Sequence, residues 1–224
     1  MIIEPSTPFS SSNTAPFIVI DGINGGGKGT LIAGLGEWLA ARGVPYIHTR
    51  EPGGTTLGVT LRSLLLSSPE LLAPGAELFL FLADRAQHVA SVVKPALKRN
   101  QTVICDRFFY STIAFQGYGR GLDCSRLLEL NRYATNDLKP DLVIILDLPV
   151  QEALRRAERR SAVEGAERDG FEAEEVAFHE RVRAGFLALA EDLPERFLIL
   201  DACQEPLQVL SQAIRAIIPL LPLK

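Results

Sequence analysis

The sequence is short of the features that would place it in several large protein classes. Its 224 residues contain three cysteines, Cys105, Cys124 and Cys203, widely spaced and without a CxxC pair. An odd, scattered set of this kind excludes a disulfide framework and a cysteine zinc site, and reads as reduced thiols of a cytoplasmic protein. Positive charge is also scarce. The formal net charge is -4 with 22% charged residues, so no polybasic field points to nucleic acid or an anionic membrane as partner. No apolar run reaches the roughly 18 to 20 residues of a membrane-spanning helix. The first fifteen residues, MIIEPSTPFSSSNTA, lack both a basic start and a long apolar core. They read as a loose tail rather than a signal peptide.

What the chain does have is apolar material, 47% of its residues, enough for one good core. A single domain over 16–224 is expected after the 1–15 tail. Short apolar runs, PFIVID (16–21), VPYIHT (44–49), QTVICD (101–106), DLVIILDL (141–148) and FLILDA (197–202), suit strands buried on both faces. Between them Leu31, Leu35, Trp38 and Leu39 fall at helical spacing, as do apolar residues in 75–98 and 172–190. The alternation predicts an α/β fold, a parallel sheet between layers of helices. One segment departs from it: RRAERRSAVEGAERDG, 155–170, is too charged for core and is expected at a surface helix end or in a mobile flap.

Residues 18–30, IVIDGINGGGKGT, carry Gly-x-x-x-x-Gly-Lys between an apolar strand and an amphipathic helix. Gly22, Gly25, Gly26 and Gly27 let the backbone turn tightly and direct its N–H groups at an anion, at a helix N-terminus. Lys28 adds a mobile cation for the outer phosphates. The whole stretch, Gly22, Ile23, Asn24, Gly25, Gly26, Gly27, Lys28, Gly29 and Thr30, is expected around the phosphates of a nucleotide. Gly29 occupies the position where such loops commonly carry a Ser or Thr that binds Mg²⁺.

Four stretches in order, the loop at 22–30, TREPGGT at 49–55, LFLADRAQH at 80–88 and DRFFYSTIAFQG at 106–117, give the chain a resemblance to the thymidylate kinase family. The resemblance extends over essentially everything after the tail. It implies a three-layer fold with a five-stranded parallel sheet and a charged lid, and transfer of the γ-phosphate of ATP to dTMP with Mg²⁺. It also implies a homodimer. By the same resemblance Arg85 and Arg107 grip the dTMP phosphate, with Arg50, Glu51 and Pro52 nearby and Arg62 a weaker candidate. Phe81 stacks on thymine, Ser111, Thr112 and Gln116 bond to the pyrimidine, and Phe115 packs where a ribose 2′-hydroxyl would collide. The turn at Pro52 is a candidate cis peptide.

The chain departs from the family pattern at two kinds of position. Asn24 stands where the family commonly has an acid, and GKGT resembles the loop of adenylate kinases, in which Mg²⁺ keeps its waters. Asp106, at the end of a predicted strand, is then the expected metal-side acid. The loop positions that carry a catalytic arginine in some family members are Gly25 and Gly26 here. The cation is therefore expected from the lid, about 155–170, with Arg159, Arg160 and Arg168 as candidates. The family's Asp-Arg-Phe-Glu reads DGFE, with Gly170 at the arginine position. Two alternatives stay open: a kinase for another nucleoside monophosphate, prompted by GKGT and Asn24, and an inactive nucleotide-binding regulator.

Overall fold

The computed structural model describes residues 2–3, 14–67, 72–164 and 170–222. In chain order the elements are strand β1 (Ile2–Ile3), β2 (Phe17–Asp21), helix α1 (Lys28–Ala40), β3 (Tyr46–Arg50), α2 (Thr56–Ser67) and α3 (Pro74–His88). A wide turn, Val89–Val93, carries α3 into α4 (Lys94–Lys98), so the helix expected over 75–98 forms with one loosened turn. Then follow β4 (Thr102–Asp106), α5 (Phe109–Thr112) with wide turns to Gly119, and α6 (Cys124–Thr135). The chain continues with β5 (Leu142–Asp147), α7 (Val150–Glu164), α8 (Val176–Asp192), β6 (Phe197–Asp201) and α9 (Pro206–Ile217).

Among the described residues the strands form one sheet in the order β1-β6-β5-β2-β4-β3. The five longer strands are mutually parallel, as expected for apolar runs joined by helical crossovers. The short β1 is antiparallel to β6, pairing Ile2 with Leu198 and Ile3 with Phe197. The reading of 1–15 as a loose tail therefore misses this pairing. It also misses Ala15, which is buried and donates its N–H to Asn100 Oδ1 at 2.8 Å.

Burial follows position in the sheet. FIVID of β2 is buried at every residue, and TVICD of β4 and LVIILD of β5 are buried except at their terminal aspartates. Each large apolar side chain taken wholly out of water contributes roughly 1.5–3 kcal/mol. β3 is different. It ends the sheet, so His48 and Arg50 are exposed, and the expectation that this run is covered on both faces is corrected by its edge position. On α1 the helical stripe Leu31, Leu35 and Leu39 is buried, while Trp38 is half-covered and stacks under Arg42, 4.2 Å from guanidinium carbon to ring centre.

This topology positions the site. The chain leaves β2 for the far edge strand β3, returns through β4 beside β2, then crosses to β5 on the other side of β2. The carboxyl ends of β2, β3 and β4 converge where the winding reverses, which is where open α/β sheets bind ligands.

Candidate active site

The phosphate loop connects β2 to α1, and neighbouring backbone dictates its glycines. Gly22 and Gly25 have φ of 129° and 81°. A Cβ on Gly22 would lie 2.5 Å from the Leu146 carbonyl oxygen, and one on Gly25 2.2 Å from that of Ala153 on α7. The second approach closes position 25 to any side chain. Ala153 is itself buried, so this part of α7 is packed directly on the loop. Gly29 is different: it is exposed, and a Cβ there would meet nothing within 4 Å.

Two cavities adjoin this loop. The larger, about 520 Å³, is lined by Asn24, Lys28, Glu51, Pro52, Arg62, Phe81, Asp106, Arg107, Ser111, Thr112, Phe115, Gln116, Arg160, Phe171 and Glu172, among others. The smaller, about 330 Å³, is lined by Gly25, Gly26, Gly27, Thr30, Leu31, Leu146, Arg156 and the segment Ala202–Pro206 with Val209. Ile23 is buried in the loop itself.

Asp21 holds the loop and the acceptor side together. Its carboxylate has no exposure and receives Arg107 Nη1 at 3.0 Å, the Ser111 hydroxyl at 2.7 Å and the Gly22 N–H at 3.0 Å. Burial raises its pKa, against the lowering effect of Arg107 and Ser111. Arg107 also donates to the Gly22 carbonyl at 2.8 Å and to the Asn24 side-chain oxygen. Its guanidinium lies 5.1 Å from the centre of the Phe115 ring. It adopts φ of 68°, a costly conformation for a residue with a side chain, and these partners hold it there. Among the described residues Lys28 Nζ has only long contacts, 3.4 and 3.3 Å, to the Gly22 and Ile23 carbonyls. Burial first, and the Arg107 charge second, bring its pKa down to about 8.

The turn after β3 contains the cis peptide Glu51–Pro52 and rests on a buried polar cluster. Glu51 takes Arg85 Nε at 2.7 Å and His88 Nδ1 at 2.8 Å, and His88 Nε2 lies 2.7 Å from the Thr49 hydroxyl. Arg85 Nη1 reaches Thr112 Oγ1 at 2.8 Å and Asn131 Oδ1 at 2.6 Å. Arg85 is thus 1% exposed and sits behind the cavity wall rather than in it, which corrects its assignment to the acceptor phosphate. Its charge neutralises Glu51 and orders Thr112. Arg50, exposed on the edge strand, is also outside the lining. Arg62 does line the cavity, and it donates to the Pro52 carbonyl at 2.9 Å.

Phe81 and Phe115 are both in the wall, joined by Phe171, whose ring centre is 6.0 Å from that of Phe81 and 5.5 Å from that of Phe115. Of the lid arginines, Arg160 lines the cavity and pairs with the buried Glu172. Arg159 is exposed and outside the lining. Arg168 lies outside the described residues. Arg155 and Arg156 are engaged by Glu152, and Arg156 also donates to the Ala202 carbonyl at 2.9 Å.

Asp106 lines the cavity, and its Oδ1 is buried without a hydrogen bond among the described residues. An unpaired carboxylate oxygen beside Lys28 fits an outer partner for a hydrated Mg²⁺. No group of three His, Cys, Asp or Glu among the described residues is placed to hold a metal ion.

Sequence reasoning missed Asp21, Phe171, Glu172 and the 202–206 segment. Asp21 was detectable as a lone carboxylate ending an otherwise apolar strand. Phe171 and Glu172 follow Gly170 in DGFE, where the missing arginine drew attention from its neighbours.

The family model described as thymidylate kinase matches residues 20–214. A thymidylate kinase of Desulfovibrio desulfuricans is 53% identical over 204 residues, covering 90% of this chain and 94% of that one. One from Solidesulfovibrio magneticus is 50% identical over 193 residues, covering 85% and 92%. The crystal structure of thymidylate kinase from Ehrlichia chaffeensis superposes with a TM-score of 0.73 at 33% identity, covering 92% of this chain and 99% of that one. The chain belongs to the thymidylate kinase family.

Proposed function

We infer that the protein transfers the γ-phosphate of ATP to dTMP, giving dTDP and ADP, with the phosphate loop as donor cradle and the larger cavity as acceptor pocket. One observation carries the reading: Lys28, Asp106, Arg107 and Arg160 converge at one part of a cavity otherwise walled by Phe81, Phe115, Thr112 and Gln116. Several anionic oxygens must be brought together in this reaction, and cations on both substrates are what allow it.

The acceptor phosphate oxygen forms a bond to the γ-phosphorus as the bond to the β–γ bridging oxygen breaks. Loop N–H groups and Lys28 hold the donor phosphates. Arg107 takes the acceptor phosphate from a side chain already fixed by Asp21 and Asn24. Arg160 reaches the same space from α7 and supplies the charge that the loop lacks, because Gly25 is closed to a side chain. Mg²⁺, when bound, would neutralise phosphate charge, with Asp106 as its outer-sphere partner. The smaller cavity takes the donor base, between Thr30, Arg156 and the 202–206 segment. Phe81, Phe115 and Phe171 give the acceptor base a flat apolar slot, with Ser111, Thr112 and Gln116 for polar contacts.

A homodimer and a cytoplasmic setting belong to the same proposal, on the family resemblance. Exposed Leu57, Val59 and Leu64 on α2 and Phe79 on α3 supply apolar surface for pairing. Light scattering coupled to gel filtration tests the dimer. Among the described residues no helix is long and apolar enough to cross a membrane.

Initial rates with ATP and a panel of dTMP, dCMP, dGMP, AMP and CMP test the function. dTMP should lead by a wide margin in kcat/KM. A preference for AMP or CMP overturns the substrate assignment, and no turnover with any acceptor overturns the enzyme reading.

A further inference from the structure

We infer that Glu77 is a positioning residue for base selection: it fixes which end of the Gln116 amide faces the acceptor cavity, so that the enzyme reads the N3–H of its pyrimidine. The inference rests on the reading of Gln116 as a base contact and adds the device that orients it. Glu77 lies in the first turn of α3 and is 5% exposed. Arg120 binds its carboxylate with two prongs, Nε to Oε1 at 2.8 Å and Nη2 to Oε2 at 3.1 Å. Arg120 is itself held by Glu174 at 2.8 Å and by stacking near the rings of Phe171 and Phe178.

A carboxylate paired in this way is an anion, and an anionic carboxylate only accepts hydrogen bonds. Gln116 therefore meets Glu77 with its NH₂, Nε2 to Oε1 at 2.9 Å. Reversing the amide would set its carbonyl against the carboxylate. With Nε2 committed, Oε1 is the end left for the cavity that Gln116 lines, and it has no hydrogen bond among the described residues. Thr112, also in the wall, accepts from Arg85 at 2.8 Å, and its hydroxyl keeps one proton to donate and a second lone pair.

The wall thus presents a fixed acceptor, Gln116 Oε1, beside a hydroxyl able to donate. That pair matches an imide edge, an N3–H beside a 4-oxo group. A cytosine edge reverses both, with a lone pair at N3 and N–H at position 4. A site built of fixed hydrogen-bonding groups discriminates strongly, because the wrong ligand leaves them unpaired.

The test compares kcat and KM for dTMP and dCMP in wild type, Glu77→Gln, Glu77→Asp and Gln116→Leu, with 3-N-methyl-dTMP as a further acceptor for the wild type. In Glu77→Gln the new amide can offer Gln116 either a donor or an acceptor, so the Gln116 amide is free to turn. The dTMP KM should rise and the dTMP-over-dCMP ratio should fall by about tenfold or more, with KM for ATP and kcat at saturating dTMP largely kept. Glu77→Asp keeps the charge and should retain most of the ratio. The wild type should reject the N3-methylated acceptor. An unchanged ratio in Glu77→Gln, with a loss in Gln116→Leu, overturns the role of Glu77 and leaves the base contact standing. An unchanged dTMP KM and ratio in Gln116→Leu removes the base contact itself. Equal use of 3-N-methyl-dTMP and dTMP by the wild type overturns N3–H reading whatever the variants do.

Discussion

Arg107 and Asp21 lie 86 residues apart in sequence, yet the guanidinium of one rests 3.0 Å from the fully buried carboxylate of the other. The contact joins the ends of the two adjacent strands β2 and β4 and sets the acceptor-side arginine against the donor-side loop. Arg107 also donates to the Gly22 carbonyl, so one side chain is tied both to the end of β2 and to the phosphate loop.

Two substitutions test that joint. Arg107→Ala removes the proposed charged partner of the dTMP phosphate, and such hydrogen bonds are worth roughly 1.5–3 kcal/mol each. Efficiency for dTMP should fall about tenfold or more. From sequence alone ATP affinity would be expected to stay level, but the bond to Gly22 argues for a smaller rise in KM for ATP as well. Asp21→Asn leaves the arginine without its buried counter-charge, and breaking such a pair costs about 3–5 kcal/mol. Thermal unfolding should shift down clearly, and dTMP KM should rise with it. Wild-type kinetics in Asp21→Asn would remove the carboxylate from the positioning of Arg107.

The lid arginines separate by geometry. Arg160 reaches the cavity and Arg159 does not. Arg160→Ala should cut kcat by about a hundredfold with modest change in either KM, the pattern of a cation engaged in the transition state. Arg159→Ala should stay within about twofold of wild type, as isolated surface charges usually do. Arg168→Ala belongs in the same series. If it alone abolishes turnover, the catalytic cation comes from that arginine and not from α7.

These residues also show what a sequence can and cannot carry. The phosphate loop was legible because one local stretch contains the strand end, the glycines and the lysine. Its dependence on Ala153 was not, because α7 begins more than 120 residues later and nothing in EALRRAERR marks the alanine that abuts Gly25. Arg85 was legible as important but not as to role. Its position one helical turn after Phe81 implies a neighbour of the base slot, whereas its burial depends on Glu51, Thr112 and Asn131, three residues from three other parts of the chain. Central strands announced themselves through unbroken apolar runs. β3, equally apolar at its start, gave no sign of being the sheet edge, because edge position follows from strand order.

Lys28 links nucleotide binding to protons. Its pKa in the free protein is about 8, against 10.5 ordinarily, with burial as the main cause. Because the shift is downward in a base, the cost of burying the charge is fully present below about pH 8. That cost is relieved as pH rises from there toward 10.5, where the unfolded chain still holds the proton and the folded one does not. Phosphate anions placed against the ammonium favour its charged form. Binding of a non-hydrolysable ATP analogue at pH 8.5, where the nucleotide itself is already ionised, should take up roughly half a proton or more. Calorimetry in two buffers of different ionisation enthalpy reads that number, and Lys28→Met should abolish it. Equal heats in both buffers for the wild type would show that Lys28 is already fully charged before the nucleotide arrives.

Gly29 follows Lys28 at the start of α1. Gly29 is exposed, and a Cβ there meets nothing, so Gly29→Ser should fold normally and keep activity within a few-fold, or raise it at low Mg²⁺. The reason is that, in the proposed mechanism, the protein's share in holding the ion falls to Asp106, whose Oδ1 is buried without a hydrogen-bond partner among the described residues. An anionic oxygen in that state is costly unless a cation or water meets it. Asp106→Asn keeps the size of the side chain and removes its charge. It should depress turnover severely and move the Mg²⁺ requirement to higher concentration. Thr30 lines the other cavity, so Thr30→Ala should leave the Mg²⁺ dependence unchanged while raising KM for ATP modestly. Titration of Mg²⁺ against initial rate for these three variants decides the matter. A collapse in Thr30→Ala together with an unshifted curve in Asp106→Asn would falsify the water-mediated account and make the Thr30 hydroxyl the ligand.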